Sequence, residues 1–283
     1  MAIIDTHVHA WNVDQVEYAW LKGNKSILNR TWSLDELEPE LEPTGIQFGV
    51  MVQAANSLED THFMLEECAK REWLKGAVGW LPLMEPGMTS VELTHFLINP
   101  YFKGIRHLIH DEANPEWLLQ PSVIESFRVL EKNQISFDVV ANQPVHLDCV
   151  LKLSDKYPHM RWCIDHLANP PIVQKERWGK WGERMKSLSA NPNVFIKISG
   201  LGMNTSDLNT WSANEIQPTI EYCLELFGTE RAMMGGDWPV VELCGGYSKS
   251  WMAYNEILSR NLSSNELEFI HFRNANRFYK LGL

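Results

Sequence analysis

The chain has 283 residues, 45% of them apolar, and a formal net charge of −11. That apolar fraction supports a sizeable core, while the acidic balance argues against nucleic acid and anionic membranes as partners, since both attract basic surfaces. Five scattered cysteines without a CxxC pair (Cys68, Cys149, Cys163, Cys223 and Cys244) suit free thiols in a reducing compartment.

Taken in chain order, short β-branched apolar runs recur with helical patterns between them. Candidate strands are IIDTHVH (3–9), QFGVMVQA (47–54), KGAVGWLPL (75–83), FKGIRHLI (102–109), ISFDVV (135–140), MRWCID (160–165), NVFIKISG (193–200) and RAMMGGDW (231–238). Candidate helices cover 57–72, 121–133, 144–157, 175–190, 212–227 and 263–281, with Ser57 placed to cap the first of them and Pro121 at a first helical position. The strand spacing is that of a βα unit. Eight such units predict a parallel sheet closed into a (β/α)₈ barrel, one domain over residues 1–283. The competing doubly wound sheet would want a Gly-rich turn after its first strand; DTHVHAW stands there instead. No apolar run reaches the roughly 18 residues of a membrane helix, and no leader-like segment opens the chain, so a cytoplasmic protein is expected.

Barrel chemistry sits at the C-terminal ends of strands, and titratable residues concentrate there: His7 and His9, Arg106 and His107 with His110 just beyond, Asp165 and His166, Lys197 and Ser199, then Asp237. Alternation along a strand puts His7 and His9 on one side. Each residue also has an ordinary reading. The HxH pair can simply end a strand, His166 can be a satisfied core histidine, and Asp237 in GGDWP can be a turn residue. Lys197 and Arg106 sit in apolar runs, where a charge is costly unless it is paired. His62, His95, His159 and His271 read as surface or packing residues, and His146 stays ambiguous.

With HxH at strand 1, DH at strand 6 and GGDWPV at strand 8, in order, the chain resembles the amidohydrolase superfamily. The likeness is to the branch of lactonases that act on L-fuconolactone, L-rhamnonolactone and 4-sulfomuconolactone. It rests also on YAWL (18–21), VQAA (52–55), KGIRH (103–107), IDHLANPP (164–171) and KISGL (197–201). The resemblance implies hydrolysis of a small sugar-acid lactone, with Asp237 as general base. It implies a site for one divalent metal ion, zinc by preference, at His7, His9, His166 and Asp237, or a metal-independent reaction. Strand 5 offers only Asp138, so a binuclear centre is not expected. In a metal-free site Arg106 and Lys197 would stabilise the oxyanion and His166 would donate a proton. Arg106 suits a product carboxylate, Gln53, Gln143 and Asn142 suit sugar hydroxyls, and Trp11, Trp238 and Trp80 can stack on a ring. Two other readings stay open: a mononuclear-metal decarboxylase of the same superfamily, and a sugar-acid binder without turnover.

Overall fold

The computed structural model describes residues 2–173 and 178–283. Its eight strands are β1 (Ile3–Val8), β2 (Ile46–Val52), β3 (Leu74–Gly79), β4 (Phe102–His107), β5 (Ser136–Val139), β6 (Trp162–Ile164), β7 (Val194–Ile198) and β8 (Ala232–Met234). They pair in sequential order, all parallel. Beyond the last rungs of the ladder, β8 returns to β1: the Asp237 amide donates to the His7 carbonyl at 2.7 Å and the His9 amide to the Trp238 carbonyl at 2.8 Å. The expected barrel is thus the fold.

Between the strands run α1 (Leu34–Thr44), α2 (Leu58–Lys70), α3 (Pro86–Phe96), α4 (Pro121–Lys132), α5 (Pro144–Lys156), α6 (Gly179–Ser189), α7 (Ala213–Phe227) and α8 (Tyr247–Asn261). Ser57 caps α2 as expected, its hydroxyl accepting from the Asp60 amide, and α4 begins at Pro121. The start proposed for a helix at 175 falls partly outside the described residues. The expected single helix over 263–281 is instead α9 (Ser264–Glu268), one π-helical turn (Phe269–Arg273) and α10 (Asn274–Tyr279). No described helix is long and apolar enough to cross a membrane.

Alternation sorts the strand residues into two layers. Phe137, Val139, Ile164, Ile196 and Ile198 pack outward against the helices, while Val50, Val52, Val78, Cys163, Phe195 and Met233 fill the barrel with Phe278 and Tyr279 of α10. The same alternation turns Arg106, Asp138 and Lys197 inward, each 3% exposed or less.

Barrel closure rests on Asp5. Its Oδ1 accepts from the His7 amide at 2.9 Å and the Gly236 amide at 2.8 Å, and its Oδ2 accepts from the Tyr247 hydroxyl at 2.7 Å. Burial pushes its carboxyl up to about 6, against the opposing pull of those donors. Asp5→Ala would leave three buried donors unpaired at the seam. The expected loss is about 3–5 kcal/mol of stability, read as a fall in the urea midpoint at unchanged slope; a midpoint within error of wild type would refute this account of closure.

Candidate active site

The C-terminal ends of the strands open into a cavity of about 380 Å³, whose lining includes His9, Trp11, Trp20, Arg106, His110, His166, Asn169, Asn204 and Asp237. Among the described residues lining it, Asp237 carries the only carboxylate. Asp237 Oδ1 faces three imidazoles, at 3.4 Å from His9 Nε2, 3.8 Å from His7 Nε2 and 3.9 Å from His166 Nε2.

Backbone geometry makes this convergence possible. Residues His166, Leu167, Ala168 and Asn169 all lie at positive φ, between 51° and 57°. Each such residue costs about 1–2 kcal/mol, and the run turns His166 back over the barrel mouth. Asp237 is also left-handed, at φ 59°. Two glycines make room. A Cβ on Gly235 would lie 2.5 Å from His7 Cβ, and one on Gly200, at φ +63°, would lie 2.7 Å from Asp237 Oδ2 and 2.8 Å from His166 Nδ1.

Beneath the imidazoles lies a buried charge network. Lys197 Nζ donates to Asp138 Oδ2 at 2.6 Å, lies 3.1 Å from Asp165 Oδ1 and reaches His7 Nδ1 at 3.3 Å. Tyr279 donates to the same Asp138 oxygen at 2.7 Å. Arg106 NH1 reaches Asp165 Oδ2 at 3.3 Å and His7 Nε2 at 3.2 Å, while its Nε donates to Gln53 Oε1 at 3.1 Å. Burial alone would neutralise Lys197, but Asp138 and Asp165 outweigh it and hold the ammonium charged. Burial likewise raises Asp165, and Lys197, His7 and Arg106 more than reverse this, holding its carboxyl well below the usual range. Burial pushes His7 well below 6.5 and lowers His166 too, so both rings are neutral at pH 7.

The candidate residues therefore fall into three groups. His7, His9, His166, Arg106 and Asp237 are brought together, with Trp11 on the cavity wall. Lys197 and Gln53 lie behind that wall, fully buried, where the first neutralises two aspartates and the second grips Arg106. Trp238, 2% exposed, packs edge-on against Trp32, and Trp80 donates to His107 Nδ1 at 2.9 Å. Gln143 and Asn142 line a neighbouring cavity, and His107 stacks on Trp117 while paired with Glu112. His146 is buried at the start of α5, its Nδ1 facing the Asn142 amide. Sequence reasoning gave no site role to Trp20, Asn169, Met203 and Asn204, which reach the cavity from the connections after β1, β6 and β7, although Trp20 and Asn169 lie within YAWL and IDHLANPP.

The donor set fits a single divalent ion. His9 Nδ1 donates to the Val52 carbonyl at 2.7 Å, which turns Nε2 toward the cavity as the nitrogen placed to ligate. His7 Nε2, His9 Nε2 and Asp237 Oδ1 are 3.1, 3.4 and 3.8 Å apart. Ligands of a tetrahedral zinc lie about 3.3 Å apart when each sits about 2.0 Å from the ion.

A family model described as Amidohydrolase matches residues 4–281. An L-fucono-1,5-lactonase of Burkholderia ambifaria is 29% identical over 98% of this chain and 95% of its own length. A crystal structure of an amidohydrolase from Burkholderia multivorans with bound zinc superposes with a TM-score of 0.88 at 24% identity, over 99% of both chains. A 2,6-dihydroxybenzoate decarboxylase shares the fold at a TM-score of 0.72 and 15% identity, over 100% of this chain and 99% of its own.

Two outcomes are expected. Titration calorimetry with zinc should give one ion per chain, and His9→Asn should weaken it by at least tenfold; two ions, or an unchanged affinity, would remove this assignment. Secondly, His166 takes its proton near pH 6.5 when unfolded and at a lower pH when folded, because burial disfavours the charged ring. Its contribution to stability is complete above about pH 6.5 and shrinks as pH falls below it. Wild type should therefore lose stability relative to His166→Gln between pH 6.5 and 5, with a slope of up to about 1.4 kcal/mol per pH unit, in paired urea titrations. Parallel curves would contradict the buried-neutral assignment.

Proposed function

The chain belongs to the amidohydrolase family, and on that premise we propose that it is a carboxylic-ester hydrolase that opens a small sugar-acid lactone to its hydroxy acid. What carries the reading is Asp237, the sole carboxylate among the described cavity-lining residues, poised within 4 Å of three imidazole nitrogens. The lactonase relative supports the substrate class.

In this mechanism Asp237 accepts a proton from water as the water oxygen attacks the ring carbonyl. Arg106 stabilises the charge that gathers on the carbonyl oxygen. Its five N–H groups meet Gln53 twice, Asp165 and His7, which leaves one for the cavity it lines. When the tetrahedral intermediate collapses, the ester C–O bond breaks and Asp237 returns its proton to the leaving ring oxygen. His166, neutral and backed by Ser199 at 2.8 Å, orients the attacked group by hydrogen bonding rather than by supplying a proton. A divalent ion held by His7, His9 and Asp237, with His166 beside them, would add Lewis-acid polarisation of the carbonyl. Trp11 and Trp20, edge to face at 5.2 Å, supply an apolar wall against which a sugar ring can stack.

The test offers a panel of 1,4- and 1,5-sugar lactones and follows acid release with a pH indicator. Asp237→Asn should fold like wild type and lose at least 10²-fold in kcat. Folded wild-type protein inert on the whole panel would overturn the reading, and carbon dioxide release from a hydroxybenzoate would replace it with the decarboxylase.

A further inference from the structure

At the end of the barrel opposite the catalytic mouth lies a second cavity, of about 700 Å³. The segments entering β6, β7 and β8 form it with α10, and Arg161, Arg231 and Arg277 all line it. Neither the proposed lactone chemistry nor the sequence motifs use these three residues. In a chain of net charge −11, none of the three forms an ion pair with a carboxylate among the described residues, whereas Arg30, Arg71, Arg106, Arg128, Arg184, Arg260 and Arg273 all do.

Their hydrogen bonds are almost all to main-chain carbonyls. Arg161 NH2 donates to Gln134 O at 2.9 Å. Arg231 donates through Nε to Phe227 O at 3.0 Å and through NH1 to Asn191 O at 2.9 Å. Arg277 NH2 donates to Glu230 O at 2.8 Å, and its one side-chain acceptor is the Asn274 amide oxygen at 3.4 Å. These bonds fix the guanidinium planes but supply no countercharge, and they leave N–H donors over on each. Arg161 and Arg277 lie over the rings of Phe278 and Phe195, at 5.6 and 5.7 Å, which holds them in place further. Desolvation lowers the affinity of Arg161 and Arg231 for their protons, against a partial opposing pull of Tyr279 on Arg161, the physical sign of cations drawn partly out of water. One acidic side chain, that of Glu230, lies on the rim, exposed and unpaired with any of them.

We propose that this cavity is an anion site, separate from the catalytic centre, that takes a small phosphate-bearing ligand. Three guanidiniums held by main-chain and ring contacts on the wall of one concavity match the bidentate, multiply charged demand of a phosphate group. The volume leaves room for a sugar-sized ester as well as for the free ion.

Calorimetry on the intact protein tests this with inorganic phosphate, a hexose 6-phosphate and the neutral hexose, at matched ionic strength. One phosphate-bearing ligand should bind per chain, the neutral sugar should not, and the double variant Arg161→Gln/Arg277→Gln should weaken binding at least tenfold while lactone turnover stays at its wild-type level. Tighter binding of the ester than of phosphate assigns the site to a phosphorylated metabolite, and equal binding assigns it to the free ion. If the double variant misfolds, Arg277→Gln alone, exposed at the rim, should still weaken binding severalfold. No binding by either phosphate, or binding that survives a folded Arg277→Gln and double variant unchanged, overturns the proposal. Asp237→Asn should leave phosphate binding untouched, so failure here is independent of failure of the lactone reading.

Discussion

The ion pair between Lys197 and Asp138, shared with Asp165, is the constraint from which the site follows. A lysine at 0% exposure in the middle of a barrel is tolerable only because two carboxylates lie against it. Asp165 and Lys197 together meet Nδ1 of His7, and Arg106, held by Gln53, meets its Nε2. His7 is thus gripped on both nitrogens before any ligand arrives. Asp138 and Asp165 are both engaged by Lys197 or Arg106, whereas the Asp237 carboxylate faces the cavity.

Closure of the barrel delivers the remaining parts. The seam between β8 and β1 places Asp237 against His7 through a main-chain bond of 2.7 Å, which ties the backbone that carries the cavity carboxylate to the backbone that carries the first imidazole. The left-handed run at His166–Asn169 is a local cost set against a gain in position, since an ordinary turn would carry the ring along the barrel wall. Asn169 and Asn204, hydrogen-bonded at 3.2 Å, then border both the central cavity and the neighbouring one that Gln143 lines. The wall between those two spaces is a pair of amides rather than packed apolar side chains.

The barrel was legible in the sequence because nearly continuous apolar runs recur at the spacing of a βα unit. The face of each inward polar residue followed from strand alternation, but its depth did not. Lys197 and Asp237 both read as inward polar groups, yet register pairs Lys197 with Met233 inside the sheet while Asp237 lies past the end of β8. Alternation reports which way a side chain points and is silent on how far along the barrel axis it sits. Helices α1, α3 and α8 were not among the candidate helices; a capping box between Ser33 and Glu36 starts α1, which runs through Pro39 and Pro43. The π turn at Phe269–Arg273, which breaks the last helix, has no compositional mark at all.

The tautomer of His7 ties these observations together. Where the His9 Nδ1–H is donated to Val52 O and its Nε2 is bare, His7 supplies the proton between the two facing Nε2 atoms, 3.1 Å apart. If it does, its Nδ1 is an acceptor, and Lys197 is the donor in place for it at 3.3 Å. If instead Nδ1 carries the proton, Asp165 accepts it at 3.4 Å, and Nε2 is free to accept from Arg106 or to ligate. In that second arrangement two bare nitrogens and a carboxylate converge, which is a stable assembly only with positive charge among them. One residue set thereby accommodates both an ion-free and an ion-loaded site by moving a single proton across one imidazole, with a buried partner already standing at each end.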